Sequence, residues 1–199
     1  VMETKTGHIK AISNLGRAND GSYYETQNYA ITESHEPGST FKLVDLIAVL
    51  DDKKADTSTV YDSKGGRIEY YGRSVKDSNG KGYGKISLAR GFELSSNTVL
   101  VQSVYDSYKN NPKQFVDRIN SYGLNKPLGL PIKGEGKPVI PQPGTNRWSG
   151  VALPWMAFGY GLSVTPLQTL TLYNAVANDG VMVKPIFVSE IKEWNKTIK

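Results

Sequence analysis

Cysteine is absent from the 199 residues. That excludes a disulfide scaffold, a thiolate metal site, thiol redox chemistry and a cysteine nucleophile. Histidine is scarce. His8 and His35 are the only two, too few for a multi-histidine metal site, and a Ser-His-Asp triad would have to use one of them. Neither charge sign dominates: 24 Lys+Arg stand against 19 Asp+Glu, a net of +5. This mild excess favours anionic surroundings but falls short of a nucleic-acid footprint. No apolar run approaches the roughly 18 residues of a spanning helix, and no stretch reads as a signal peptide. The lack of cysteine suits an oxidising compartment.

The length fits one domain or two small ones and is ample for a hydrophobic core. No internal repeat or low-complexity tract occurs. The pattern is mixed α and β. Val1–Glu3 and His8–Ile12 read as two strands joined by a turn at Lys5-Thr6-Gly7, with Gly7 free to take a positive φ. Asn14–Asn28 is polar and reads as a loop. Ser39–Leu50 reads as a helix that is apolar on nearly every side, hence central and buried. Asp51–Asn79 reads as loops with a short hairpin at Arg67–Val75, and Asn79–Gly84 as a further loop. Ser87–Phe92, Thr98–Tyr108 and Lys113–Tyr122 read as helices, the last capped by Gly123. Leu128–Gly150, rich in proline and glycine, reads as a long irregular excursion. Thr165-Pro166 starts a helix that runs to about Asn178, and Val181–Ile191 is extended.

Chemistry concentrates at Ser39 and Lys42. A serine needs a base to become a nucleophile, and a lysine serves if burial lowers its pKa. Their spacing puts both on one helical face. The helix N-terminus favours a developing oxyanion and disfavours an ammonium. The plain alternative is a helix-start serine with a snorkelling lysine. Ser-x-x-Lys occurs three times, and Ser78/Lys81 and Ser189/Lys192 read as chance matches in a polar loop and a strand. Ser95-Ser96-Asn97 falls between two helices, where an N-cap competes with a hydroxyl and an amide projecting into a cleft. Trp148, Trp155 and Tyr160 line that cleft or simply pack. His8, His35 and Glu36 read as surface or structural residues.

Three segments then follow one another in order: Glu36-Pro37-Gly38-Ser39-Thr40-Phe41-Lys42, Ser95-Ser96-Asn97, and Phe158-Gly159-Tyr160-Gly161-Leu162-Ser163-Val164-Thr165-Pro166-Leu167-Gln168. The set resembles the transpeptidase domain of a class B penicillin-binding protein. Lys5–Ala11, Asn28-Tyr29-Ala30 and Tyr173–Gly180 resemble the same family's first hairpin, the approach to its nucleophile and a later helix, so the resemblance spans nearly the whole chain. Glu36 and Asn97 resemble the septal, cell-division (FtsI-like) type.

The resemblance implies an α/β fold of the α+β type, in which a central antiparallel sheet is flanked by a helical subdomain. It implies no metal or cofactor. Ser39 is the acylated nucleophile, Lys42 its base, Ser95 a proton relay to the leaving D-alanine, and Asn97 a residue that holds the substrate amide and steadies Lys42. Substrates and ligands are peptidoglycan stem peptides ending in D-Ala-D-Ala, and β-lactams. In the full-length protein, a membrane glycosyltransferase and other division proteins are the expected partners, with no nucleic acid. The implied location is the cell envelope, on the periplasmic side of an inner membrane reached by an N-terminal anchor.

The family's third motif, Lys-Thr/Ser-Gly, has no downstream match. Lys5-Thr6-Gly7 precedes the nucleophile and is a decoy. Residues 1–199 are therefore expected to be a partial domain with an incomplete sheet and exposed edges. Two alternatives remain open from the residues: a class D-like β-lactamase or β-lactam sensor, and a non-catalytic wall-binding fragment.

Overall fold

The computed structural model describes residues 1–194, 196 and 197. In chain order, the first elements are β1 (Leu15–Arg17), β2 (Tyr23–Glu25), α1 (Tyr29–Thr32), a 3₁₀ turn (Gly38–Phe41) and α2 (Lys42–Asp51). There follow β3 (Val60–Asp62), β4 (Arg67–Tyr70), β5 (Arg73–Lys76), β6 (Lys85–Ser87), α3 (Leu88–Glu93), α4 (Asn97–Tyr108) and α5 (Pro112–Ser121). The last are α6 (Ala152–Met156), α7 (Pro166–Ala177), β7 (Lys192–Glu193) and β8 (Lys196–Thr197). The expected mixed α/β class holds, and the described strands form small antiparallel pairs: β1 with β2, β3 with β6, β4 with β5, and β7 with β8.

The chain divides into two compact units. One comprises residues 1–34, 126–137 and 164–199. Its N-terminal turn is built as the sequence suggests, with Glu3 N–H donating to His8 O at 2.8 Å and Gly7 at φ 80°. Isolated bridges stand in place of a full ladder there: Met2 pairs with Ile9 and His8 with Ile186. That second bridge is the described pairing of the Val181–Ile191 stretch expected to be extended. The stretch read as a loop at Asn14–Asn28 instead carries the β1–β2 hairpin and leads into α1. The hairpin lies mostly exposed on both faces, so its sequence has no apolar alternation to betray it. Helix α7 begins as expected: the Thr165 hydroxyl accepts from Gln168 N–H, the Gln168 side chain accepts from Thr165 N–H, and proline occupies the first turn.

The other unit comprises residues 35–125 and 138–163 and holds the Ser39 region. Its centre is α4, in which Val99, Leu100, Val101 and Val104 are each 0% exposed. Around α4 pack α2, α3, α5, α6 and the strands β3 and β5. The Tyr108 hydroxyl donates to Ala48 O at 2.9 Å, tying α4 to α2. The apolar helix expected over Ser39–Leu50 is a 3₁₀ turn followed by α2, with Val44, Ala48 and Val49 buried. The hairpin at Arg67–Val75 is β4–β5, turned at Tyr71-Gly72 with φ 50° and 74°, the signs a two-residue type I′ turn requires. The β3–β6 pairing corrects the reading of that region as loop plus hairpin alone. Its short strands lie more than 20 residues apart in the chain (Val60 pairs with Ser87), beyond the reach of local pattern. Helix α6 follows just after the irregular stretch expected over Leu128–Gly150, in a segment the sequence left unassigned; it is short and contains Pro154, so the sequence carries no helical period for it. Residues 128–150 are irregular, as expected, apart from one bridge between Val139 and Ser163.

Candidate active site

The Pro37-Gly38 step sends the chain into the tight 3₁₀ turn, which places Ser39 one helical turn ahead of Lys42, where α2 begins. A second loop clamps this turn from outside. Gly38 N–H donates to Gly159 O at 3.0 Å, and Gly161 N–H donates to Glu36 Oε1 at 2.8 Å. Gly159 sits at φ 84°, and a Cβ there would collide with Gly38 O, so only glycine permits the approach. The structural reading of Glu36 thus becomes specific, because its carboxylate fixes the loop that braces the nucleophile turn.

Ser39 is exposed, whereas Lys42 is 1% exposed. Lys42 Nζ lies 3.1 Å from Ser39 Oγ, 2.7 Å from Ser95 O, 2.9 Å from Ser95 Oγ and 2.5 Å from Asn97 Oδ1. All four sequence-predicted residues therefore meet at one amine. Ser95 O and Asn97 Oδ1 can only accept, so they take two N–H bonds. An uncharged amine then has one lone pair left, directed at the two hydroxyls. Burial pushes Lys42 down from the ordinary lysine value near 10.5 to about 8, against the opposing pull of Asp45 and Asp77. An amine so placed can remove the proton from Ser39 and return it through Ser95.

The Ser95-Ser96-Asn97 motif splits between its two readings. Ser96 is the N-cap of α4, its Oγ accepting from Val99 N–H at 3.2 Å. The residues on either side of it turn toward Lys42. Ser95 takes the left-handed conformation at φ 52° to do so. The Asn97 amide is used at both ends, since Nδ2 donates to Lys76 O at 2.7 Å.

Two acids near Lys42 escaped the sequence reading. Asp45, one turn along α2, is 0% exposed, and neither of its carboxylate oxygens has a hydrogen-bond partner among the described residues. Burial pushes its carboxyl well above the usual range, and the Lys42 charge only partly offsets this. Asp77, just past β5, is 3% exposed and fully bonded. An acid inside an apolar run was the available signal for Asp45; Asp77 had none. Among the remaining candidates, Trp155 and Tyr160 flank Phe158 with ring centroids 5.7 and 4.9 Å from it, and Trp148 is half-buried. His35 is exposed, and His8 lies 3.5 Å from Glu3 on the surface of its own unit. Lys5-Thr6-Gly7 forms the N-terminal turn, with Lys5 3.5 Å from Asp179.

Comparison with known proteins extends over the same residues. The family model of the penicillin binding protein transpeptidase domain matches residues 1–199. Penicillin-binding protein PbpB of Mycobacterium tuberculosis is 30% identical over 93% of this chain and 27% of its own. Peptidoglycan D,D-transpeptidase FtsI of Escherichia coli is 28% identical over 96% of this chain and 32% of its own. Stage V sporulation protein D of Bacillus subtilis is 25% identical over 100% of this chain and 31% of its own. The chain thus spans about a third of the length of these relatives. In fold it is similar to a peptidoglycan glycosyltransferase from Burkholderia ambifaria, at TM-score 0.79, 23% identity, 98% of this chain and 58% of that one. It is similar as well to the transpeptidase domain of Burkholderia pseudomallei penicillin-binding protein 3, at TM-score 0.76, 20% identity, 98% of this chain and 54% of that one. A family match over the whole chain, joined to the meeting of Ser39, Ser95 and Asn97 at Lys42, makes this chain a member of the class B penicillin-binding protein transpeptidase family.

Proposed function

We propose that this chain carries the acyl-transfer chemistry of a peptidoglycan D,D-transpeptidase. The carrying observation is the buried amine of Lys42, 3.1 Å from the exposed Ser39 hydroxyl and surrounded by uncharged acceptors. Neutral Lys42 takes the Ser39 proton as Oγ attacks the carbonyl between two D-alanines. The carbon–nitrogen bond then breaks, and the leaving D-alanine amine receives the proton by way of Ser95. An amine from a second stem peptide attacks the acyl-serine ester, forms the cross-link and restores the Ser39 hydroxyl. Asn97 steadies Lys42 through Oδ1 and offers the peptide the Nδ2 hydrogen that Lys76 O does not take. A β-lactam presents a strained amide to the same hydroxyl and leaves a lasting acyl-enzyme.

The septal role rests on Glu36 and Asn97 and on relatives named FtsI and PbpB. The envelope location, a membrane anchor, and glycosyltransferase and division partners are proposals for the whole protein of which such a domain is part. So is the reading of residues 1–199 as a partial domain completed by a Lys-Thr/Ser-Gly strand.

A fluorescent penicillin tests the reading. A stable covalent band that disappears in Ser39→Ala supports it, because Ser39 is the only attachment point it allows. Steady hydrolysis of the lactam in place of a stable band supports the hydrolase alternative. No band from the longest chain that contains these residues contradicts both and favours a non-catalytic wall-binding role.

A further inference from the structure

The turn that presents Ser95 and Asn97 is held in an unfavourable shape. Ser95 has φ 52°, a left-handed conformation in which a side chain crowds the following carbonyl. Such a conformation persists only where its surroundings over-determine it. Three consecutive residues beside Ser95 are tied to two consecutive residues at the end of β5. Ser96 Oγ donates to Asp77 Oδ1 at 3.0 Å and lies 3.2 Å from Oδ2. Asn97 Nδ2 donates to Lys76 O at 2.7 Å. Thr98 donates twice, its N–H to Asp77 Oδ1 at 2.9 Å and its hydroxyl to Oδ2 at 2.8 Å. Ser96, Thr98 and Asp77 are 1%, 0% and 3% exposed, so water does not compete for these bonds. Asp77 is itself pinned, since its N–H donates to Gly66 O at 2.9 Å and its carbonyl accepts from Gly80 N–H at 3.0 Å.

We propose that Asp77 is a positioning residue for the acyl-transfer reaction: its buried carboxylate grips Ser96 and Thr98 and so holds Ser95 and Asn97 against the amine of Lys42. This rests on the proposed function above. The carboxylate is bonded to Ser96 and Thr98 and acts through the turn they belong to. It also acts through space. The acidic groups that bear on Lys42 are Asp45 on its own helix and Asp77 from the end of β5, while Ser39, Ser95 and Asn97 carry no acid or base. Asp77 thus places a negative charge near the amine without forming an ion pair that would lock it as an ammonium.

Two substitutions separate the grip from the charge. Asp77→Ala removes both. Acylation of Ser39 by a fluorescent penicillin is expected to fall by about 10²-fold, the loss that accompanies misplacement of a catalytic group by about 1 Å. Asp77→Asn keeps an acceptor oxygen for Thr98 N–H and Ser96 and should recover most of that rate. Without the negative charge, however, its alkaline-rising limb should move to lower pH by about one pH unit. A purely structural Asp77 would change thermal stability and leave the limb in place. A second readout needs no acylation: the ¹³Cε resonance of Lys42, assigned by its loss in Lys42→Arg, is titrated in wild type and Asp77→Asn. A lower midpoint in Asp77→Asn supports the proposal. An unmoved midpoint overturns it, as does a folded Asp77→Ala that is acylated within about threefold of wild type. If wild type takes no label, the functional reading fails, and the Lys42 titration still decides whether Asp77 acts on the amine.

Discussion

Two charge centres in the same compact unit are built on opposite plans. Around Asp52, charge meets charge. Arg118 Nη2 pairs with Asp52 Oδ1, Arg118 Nη1 lies 2.7 Å from Asp51 Oδ2, and the Tyr108 hydroxyl donates to Asp52 Oδ2 at 2.8 Å. Burial alone would push the Asp52 carboxyl up; the hydrogen bonds from Arg118 and Tyr108 and the Arg118 charge outweigh it and hold the carboxyl below its ordinary range. Around Lys42, neutral oxygens make the hydrogen bonds in place of a paired carboxylate, and burial prevails over the pull of Asp45 and Asp77. The first arrangement fixes an ion in its charged state, so that removing one partner leaves the other uncompensated. The second leaves an amine able to gain and lose a proton near neutral pH, which is what a base needs.

The sharpest way to break this comparison is at the lysine. Lys42→Ala should lower the rate of Ser39 acylation by about 10²–10⁴-fold, the usual worth of a positioned base. Lys42→Arg should do no better, because a guanidinium keeps its proton. Penicillin-labelling time courses check both, and retained labelling in either would reject the base. Next comes the structural centre. Arg118→Met strips the partner from Asp52, whose side chain is 4% exposed, and should cost about 2 kcal/mol in a urea melt. Acylation by penicillin should be untouched. The sign with pH follows from the depressed carboxyl: the pair's contribution is present above the ordinary aspartate range and is lost as pH falls through the lower folded value. The difference between wild type and variant should therefore shrink in acid.

A smaller effect of opposite sign is expected at Asp45. Its folded carboxyl lies above its ordinary value, so it favours the folded state in acid and subtracts stability as pH rises from about 4 upward. Asp45→Val should therefore stabilise the protein by about 1 kcal/mol at about pH 8, with the gain fading below about pH 4. Melts of both proteins across that range measure it. A variant less stable than wild type at the alkaline end would show that the carboxyl is satisfied.

What could be read from the sequence was local. Ser39 and Lys42 are three residues apart, and a helical turn brings them together wherever it forms. The Thr165-Pro166 helix start and the β4–β5 hairpin were likewise legible from neighbouring residues. For Ser95-Ser96-Asn97 both readings, cap and cleft, apply, to alternate residues. Legibility failed where partners are distant in the chain. Asp77 acts on Ser96 and Thr98 about 20 residues away, and β3 finds β6 across a comparable gap. The β1–β2 hairpin escaped for another reason: with both faces exposed, it leaves no hydrophobic period to follow. Asp45 was in plain view within the apolar helix. Its burial without a hydrogen-bond partner among the described residues follows from tertiary packing around α2, which no local pattern encodes.

Everything specific to the chemistry depends on the charge state of one amine, and that state can be read directly. Following the ¹³Cε resonance of Lys42 from about pH 6 to about pH 11 in the unliganded protein should give a midpoint at about 8, well below the ordinary lysine value near 10.5. A midpoint at the ordinary value would mean that Lys42 holds its proton at neutral pH, and the serine–lysine mechanism would be contradicted at its first step.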